Sequence, residues 1–323
     1  LVVVFSYYAA YDSSLGVPNT AVLLAAGALV CLAALLGAGS AHTWAPNRGR
    51  PRRRRQQEFA VVAVTCVALT GALATASTGF GAVGSRGPAA YPVRMVTYNV
   101  RMGFDLQGRF ASKDLADTVR AQHADVVLLN EVDRGWMVNG GHDVLQLIAD
   151  DLGMPYVFAP AADEVWGDAV LTRFPIVSAR SERISEPGSP TGAAALAVVL
   201  QLDSGQQLGV VATHLQPDGS GLIPLVEAQR AAALATGLVA KNRAVVLAGD
   251  LNAEPGSAQL AAFGPGLVDA LAAKRPLPTY PADRPTQQID HVLTTPDLVA
   301  TDIQVPATTD SDHRPVAVTL ALR

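Results

Sequence analysis

The chain has 323 residues, half of them hydrophobic and only 16% charged, with a formal net charge of −4. That length allows two domains, and two cysteines, Cys31 and Cys66, exclude a disulfide framework or a cysteine metal site. Charge is unevenly divided: from residue 91 onward 17 basic side chains stand against 26 acidic ones, a net −9, which disfavours polyanionic nucleic acid as a partner.

The apolar character is concentrated early. Residues 20–39 and 59–80 carry no charged side chain, and as helices each is long enough to cross a hydrocarbon core of roughly 30 Å. Residues 1–10 read as the end of an earlier span. Between the two uncharged runs lie six arginines in the eight positions 48–55. By the positive-inside rule this places the loop 42–57 in the cytoplasm and everything after residue 80 on the opposite side. The expectation is a multi-pass protein of the cell membrane, anchored among its lipids, with an extracytoplasmic soluble domain. An extracytoplasmic domain without disulfides points to a bacterium. Neither span has a charged residue to line a pathway, so both read as anchors. The boundaries expected are a transmembrane region 1–84, a small and flexible linker 85–91, and a soluble domain 92–323.

In that domain apolar runs of strand length alternate with amphipathic stretches. Strands are predicted at 94–100, 125–132, 169–172, 194–202, 208–214, 245–248 just before Asp250, 289–294, 303–305 and 315–322, and helices at 113–122, 143–152 and 225–240. Two halves, each with strands and helices, predict an α+β fold: a four-layer α/β/β/α sandwich of two packed mixed β-sheets with outer helices. No Gly-rich turn follows the first strand, which argues against a dinucleotide-binding sheet.

The polar residues at the ends of these runs carry the chemistry. Asn99, Glu131, His214, Asp250 with Asn252, Asp290 and Asp312-His313 each close or follow an apolar stretch. A carboxylate at the tip of a buried strand costs several kcal/mol unless something pairs with it, on the order of known charge-burial penalties. Several tips converging from different strands make a cage for a hard divalent cation. Asp250 and Asn252 are two apart, so their side chains emerge on one side. His291 directly follows Asp290 and must face the other way. His42 and His123 lack any such context.

The ordered strings Tyr98-Asn99, Asn130-Glu131, Thr213-His214-Leu215, Gly249-Asp250-Leu251-Asn252, Ile289-Asp290 and Ser311-Asp312-His313 closely resemble the endonuclease/exonuclease/phosphatase superfamily, the deoxyribonuclease-I-like fold of Mg²⁺-dependent phosphoester hydrolases. The resemblance spans about residues 92–323. It implies Mg²⁺ or Mn²⁺ held by Glu131, with Asn99 and Asp312 on the metal side. It implies that Asp250 activates water, that Asn252 binds phosphoryl oxygens, and that His214 protonates the leaving oxygen or binds the phosphate. Asp290 is implied to hold His313 charged against the phosphate. In one respect the chain departs from the pattern: Asp168 in Gly167-Asp168-Ala169 stands where the family usually has Asn, and its carboxylate is expected to pair with His214.

The stretch from Glu131 through Trp136 to Asn139-Gly-Gly-His-Asp143 is similar to the subfamily found at the C-terminus of eukaryotic membrane proteins that remodel glycosylphosphatidylinositol-anchor lipids, and to bacterial membrane-tethered relatives. Trp136 is expected to stack on a sugar or inositol ring. The function expected is a membrane-anchored phosphodiesterase acting on a lipid or polyol headgroup. An extracytoplasmic nuclease is the alternative enzyme, and a non-catalytic lipid- or glycan-binding module the alternative of another class. No obligate protein partner is implied.

Overall fold

In the computed structural model the described residues are 91–323, without 137–138, 162–163, 187–191, 204–205, 218–221 and 242, together with six helical residues between positions 25 and 32. The expected spans, the arginine loop and the linker otherwise lie outside the described residues.

Among the described residues from 91 onward, twelve strands and four α-helices follow in the order β1 (Val93–Asn99), α1 (Ser112–Ala121), β2 (Val126–Asp133), α2 (Val144–Leu152), β3 (Tyr156–Pro160), β4 (Trp166–Thr172), β5 (Ile176–Arg183), β6 (Ala194–Asp203), β7 (Gln206–Thr213), α3 (Leu222–Val239), β8 (Ala244–Asp250), α4 (Ala258–Ala261), β9 (Val268–Asp269), β10 (Asp290–Thr294), β11 (Leu298–Gln304) and β12 (Val316–Leu322). They form two six-stranded sheets, ordered β11-β12-β1-β2-β4-β3 and β5-β6-β7-β8-β10-β9. Each sheet has one parallel pair, β1 with β2 and β7 with β8, and is otherwise antiparallel. The mixed sheets match the sequence expectation.

Alternation along each strand divides the apolar residues between layers. Met95, Leu128 and Val170 of the first sheet meet Leu196, Val198, Val210 and Val246 of the second in the central core. On the outer face of the first sheet, Val96, Tyr98, Val127 and Leu129 pack with Leu115 and Val119 of α1 and Leu145 and Ile148 of α2. On the second sheet, Val211, Val245 and Leu247 lie under Ala228, Ala231 and Ala235 of α3. By length and composition α3 is apolar enough to cross a bilayer. This packing makes it the outer layer of the sandwich instead. Truncating a fully buried central side chain such as Leu128 to alanine would cost about 2–5 kcal/mol.

Helix α2 starts on Asp143, whose side chain accepts from the Gln146 backbone N–H, and stops at Gly153, left-handed at φ +62°. The structure adds β3, β5 and the two-residue β9, which the sequence reading lacked, and extends β11 back to Leu298. All four are sheet edges. Half of their neighbours are missing, so β5 is mostly exposed and polar in place of an apolar run.

The parallel pairs matter for function. β1 and β2 run the same way in one sheet, as do β7 and β8 in the other, and the carboxyl ends of β1, β2 and β8 meet across the gap between the sheets.

Candidate active site

Parity sends the tip residues inward. Met95 faces the central core, so Asn99 does too; Val246 does, so Asp250 does; Val292 does, so Asp290 follows and His291 faces out. Glu131 needs a special device. Leu128 faces the central core, yet Val132, four residues later, faces the outer helices. The register of β2 against β4 shifts between Leu129 and Val132, and Glu131 is left-handed at φ +53°. This β-bulge inserts one residue and turns Asn130 and Glu131, which a regular strand would send to opposite faces, to the same side.

The resulting cluster is continuous. Asn99 Nδ2 donates to Glu131 Oε1 and to Asp250 Oδ2, both at 3.1 Å. Asp250 Oδ2 also lies 3.5 Å from His313 Nε2 and 3.6 Å from His214 Nε2. On its other side His313 Nδ1 donates to Asp290 Oδ2 at 2.9 Å. Asn252, left-handed at φ +45°, places its amide nitrogen 3.1 Å from His214 Nε2 and donates to the Leu215 carbonyl at 2.8 Å. Ser311 donates to the Asn99 carbonyl at 2.7 Å, which ties the Asp312-His313 loop to the end of β1. Close approach also depends on Gly249: a Cβ there would sit 1.9 Å from the Thr213 carbonyl oxygen.

The charges reinforce one another. Burial works against a charged His313, but Asp290 and Asp250 facing it outweigh that and lift its pKa from the ordinary 6.5 to about 10. His214 is raised in the same way: burial opposes, while Asp250, Glu131 and Asp168 favour the imidazolium. Burial pushes the Glu131 carboxyl up; His214 opposes this and Asp312 adds to it. Asp168 rises to about 6, again chiefly through burial, with His214 opposing.

This donor set fits a hard divalent cation. Glu131 and Asp312 offer carboxylate oxygens in a pocket whose carboxylates outnumber its cations, and Mg²⁺ or Mn²⁺ chemistry suits such ligands. Asn99, expected among the ligands, turns its Oδ1 to the Arg101 backbone N–H at 3.0 Å and orients Glu131 through its amide nitrogen instead. Ligand atoms of Asp250, Asp290 and His313 also lie within 4.8 Å of one another, all buried. Because His313 Nδ1 is already bonded to Asp290, that group reads as a hydrogen-bonded chain beside the metal side.

The structure therefore brings together Asn99, Glu131, His214, Asp250, Asn252, Asp290 and His313. Asp312 stands at the edge, half-buried, with Oδ2 3.5 Å from Arg101 Nε. Trp136 is placed otherwise than expected. It is 5% exposed and its ring stacks on Trp166 at 6.0 Å, so it fills the core and presents no open face to a sugar. The pairing expected of Asp168 with His214 also takes another form: Asp168 Oδ1 accepts from Asn130 Nδ2 at 2.8 Å and acts on His214 through space. His291 is buried outside the site, Nε2 donating to the carbonyls of Ala253 and Gln288 at 2.7 and 3.1 Å.

Three neighbours escaped the sequence reading. Arg101, left-handed at φ +43°, follows Asn99 and faces Asp312. The Tyr280 ring lies 4.9 Å from that of His313. Asn130 bonds across the sheets, and its place beside Glu131 in the motif was the available signal.

A two-sheet sandwich with carboxylates, amides and two imidazoles gathered at the strand ends defines the class of phosphoester hydrolases and nucleases. The chain belongs to the Endonuclease/Exonuclease/phosphatase family, which matches residues 96–313. It is similar to protein cwh43 of Schizosaccharomyces pombe, 33% identical over 119 residues, covering 36% of this chain and 12% of that one. The chain thus spans about an eighth of that relative's length. It is also similar to the uncharacterized protein YbhP of Escherichia coli K12, 24% identical over 72% of this chain and 97% of the other. Among solved structures, a mannosyl-6-phosphatase of Bacteroides thetaiotaomicron shares the fold, with a TM-score of 0.61 and 19% identity over 71% of this chain and all of its own. Members of this family are phosphoester hydrolases, typically dependent on a divalent metal. The match with cwh43 accords with the subfamily resemblance of the stretch from Glu131 to Asp143.

Proposed function

We propose that the protein is a membrane-anchored, divalent-metal-dependent phosphoesterase that hydrolyses a phosphodiester of a lipid or polyol headgroup. The observation that carries this is the Asn99 amide, which joins Glu131 to Asp250 while both imidazoles hold Nε2 within 3.6 Å of Asp250 Oδ2. Glu131 and Asp312 would hold Mg²⁺ or Mn²⁺, with Asn99 orienting the Glu131 carboxylate. When bound, the ion supplies Lewis-acid polarisation of a phosphoryl oxygen.

The chain's own groups do the rest. Asp250 orients the attacking water and takes its proton. Asn99, donating to Oδ2, keeps that carboxylate in place. His313, its Nδ1 held by Asp290, presents a proton on Nε2 to a phosphate oxygen as negative charge grows there. His214 gives its proton to the leaving oxygen, and Asn252 steadies the phosphoryl group beside it.

Anchoring is supported by the two uncharged runs flanking six arginines, and the positive-inside rule favours a catalytic domain outside the cytoplasm. The headgroup class is supported by the net −9 of the domain, unsuited to duplex DNA, and by the partial likeness to cwh43. The test is a screen of the full chain in detergent with Mg²⁺ or Mn²⁺ against phosphoinositides, sphingomyelin, plasmid DNA and phosphomonoesters. Headgroup release with DNA intact is expected. Cleavage of DNA alone would make it a nuclease, and inertness toward all four a binding module.

A further inference from the structure

The least explained buried group near the site is Asp168. It is 1% exposed, and its Oδ2 has no hydrogen-bond partner among the described residues. Its other oxygen leads to Asn130, which is fully buried and makes three contacts. Asn130 Oδ1 accepts from the backbone N–H of Asp250 at 3.0 Å, and Nδ2 donates to Asp168 Oδ1 at 2.8 Å and to the Thr213 carbonyl at 3.3 Å. These contacts cross from β2 and β4 of one sheet to β7 and β8 of the other.

Their polarity leaves no choice. A backbone N–H only donates, so the amide oxygen must face Asp250. A backbone carbonyl only accepts, so the amide nitrogen must face Thr213, and the side chain at 168 on that same nitrogen must accept as well. A carboxylate meets that demand with either oxygen. The need for an acceptor at this position therefore lies beneath the site, in the orientation of the Asn130 amide.

We infer that Asn130 and Asp168 form a positioning pair that fixes the backbone of Asp250, and through it the carboxylate that prepares the water. Neither residue is a catalytic residue; both act through Asp250. This rests on the role given to Asp250 under the proposed function.

The test uses the full chain in detergent with Mn²⁺ and bis(4-nitrophenyl) phosphate. Asn130→Asp sets a third acceptor against Asp168 and Thr213, and is expected to lower kcat at least tenfold with KM within twofold. The reciprocal pair, Asn130→Asp with Asp168→Asn, restores a donor and an acceptor across the same gap at unchanged net charge. It should recover part of that loss, since the clash at Asp168 is relieved while the one with the Thr213 carbonyl remains. Exchange of the Asp250 amide proton in the metal-free protein, read by NMR, should speed up in Asn130→Asp and slow again in the pair. No recovery of kcat or of amide protection would overturn the inference. Should Asn130→Asp fail to fold, Asp168→Asn, which still accepts, should keep kcat within threefold, whereas Asp168→Leu should lose tenfold; equal losses would overturn it. Full activity in Asp250→Ala would instead refute the function assigned to the site.

Discussion

His313 and Asp290 are bonded to each other inside the protein, Nδ1 to Oδ2 at 2.9 Å, with 5% and none of their surfaces exposed. The other ring nitrogen of His313 is left pointing at Asp250. This pair fixes the tautomer and the charge of the imidazole together, in the way a carboxylate orients a histidine elsewhere in acid–base catalysis.

The pH dependence follows from that pair. The folded state holds the His313 proton more tightly than the unfolded chain does. Its stabilising contribution is therefore complete below pH 6.5 and is lost as pH rises through about 10. Asp290→Asn removes the nearest attraction. The alkaline limb of kcat/KM should move down toward neutrality in that variant, and the extra stability of the wild type over it, followed by urea midpoint against pH, should shrink as pH rises.

Glu131 pulls the other way. Burial and Asp312 raise its pKa, so keeping it ionised at neutral pH costs folding stability. Glu131→Gln retains an oxygen for Asn99 and removes the charge. In the absence of metal its melting temperature should exceed that of the wild type, a gain of the order of 1 kcal/mol, as when other strained functional groups are replaced. Addition of Mn²⁺ should raise the wild-type melting temperature and leave the variant's unchanged.

Gly249 is a packing requirement. Its φ of +151° and the Thr213 carbonyl oxygen 1.9 Å from any added Cβ leave no room for a side chain. Gly249→Ala should destabilise the domain by about 3 kcal/mol or more in chemical denaturation, and activity should fall with it because Asp250 is the next residue.

Asn252 contributes a donor from a left-handed backbone position. Asn252→Asp tolerates that backbone and removes the donor. Stability should fall by about 1–3 kcal/mol, because the bond to the Leu215 carbonyl is lost, although Asp is among the residues that visit this backbone region. The value of kcat should drop by about a hundredfold, the scale seen for loss of one transition-state donor. Steady-state kinetics beside a thermal melt separates the two.

Much of this site was legible in the sequence because polar residues at the ends of apolar runs have few structural uses. Asn99, Glu131, Asp250 and Asp290 stood out for that reason, and strand parity alone kept His291 out. What escaped depends on contacts between sheets. The bulge at Glu131 has no glycine to announce it, and the bonds of Asn130 need both sheets in place before they exist. Trp136 sits in a polar, glycine-rich loop that reads as surface, yet Asp133 accepts from the backbone of Gly135 and Trp136 and folds the ring onto Trp166. The edge strands were faint for the opposite reason, because exposure removes the apolar pattern that marks a strand.

The central claim is that Glu131 and the Asp250–His313 group serve one divalent ion and one phosphoester. It is tested most directly by comparing full-length wild type with Glu131→Ala for hydrolysis of a phosphodiester, with EDTA and then with Mg²⁺ or Mn²⁺ restored. The expected result is metal-dependent turnover in the wild type and at least a hundredfold loss in a variant that still melts cooperatively. Metal-dependent turnover at the wild-type rate in folded Glu131→Ala would contradict it.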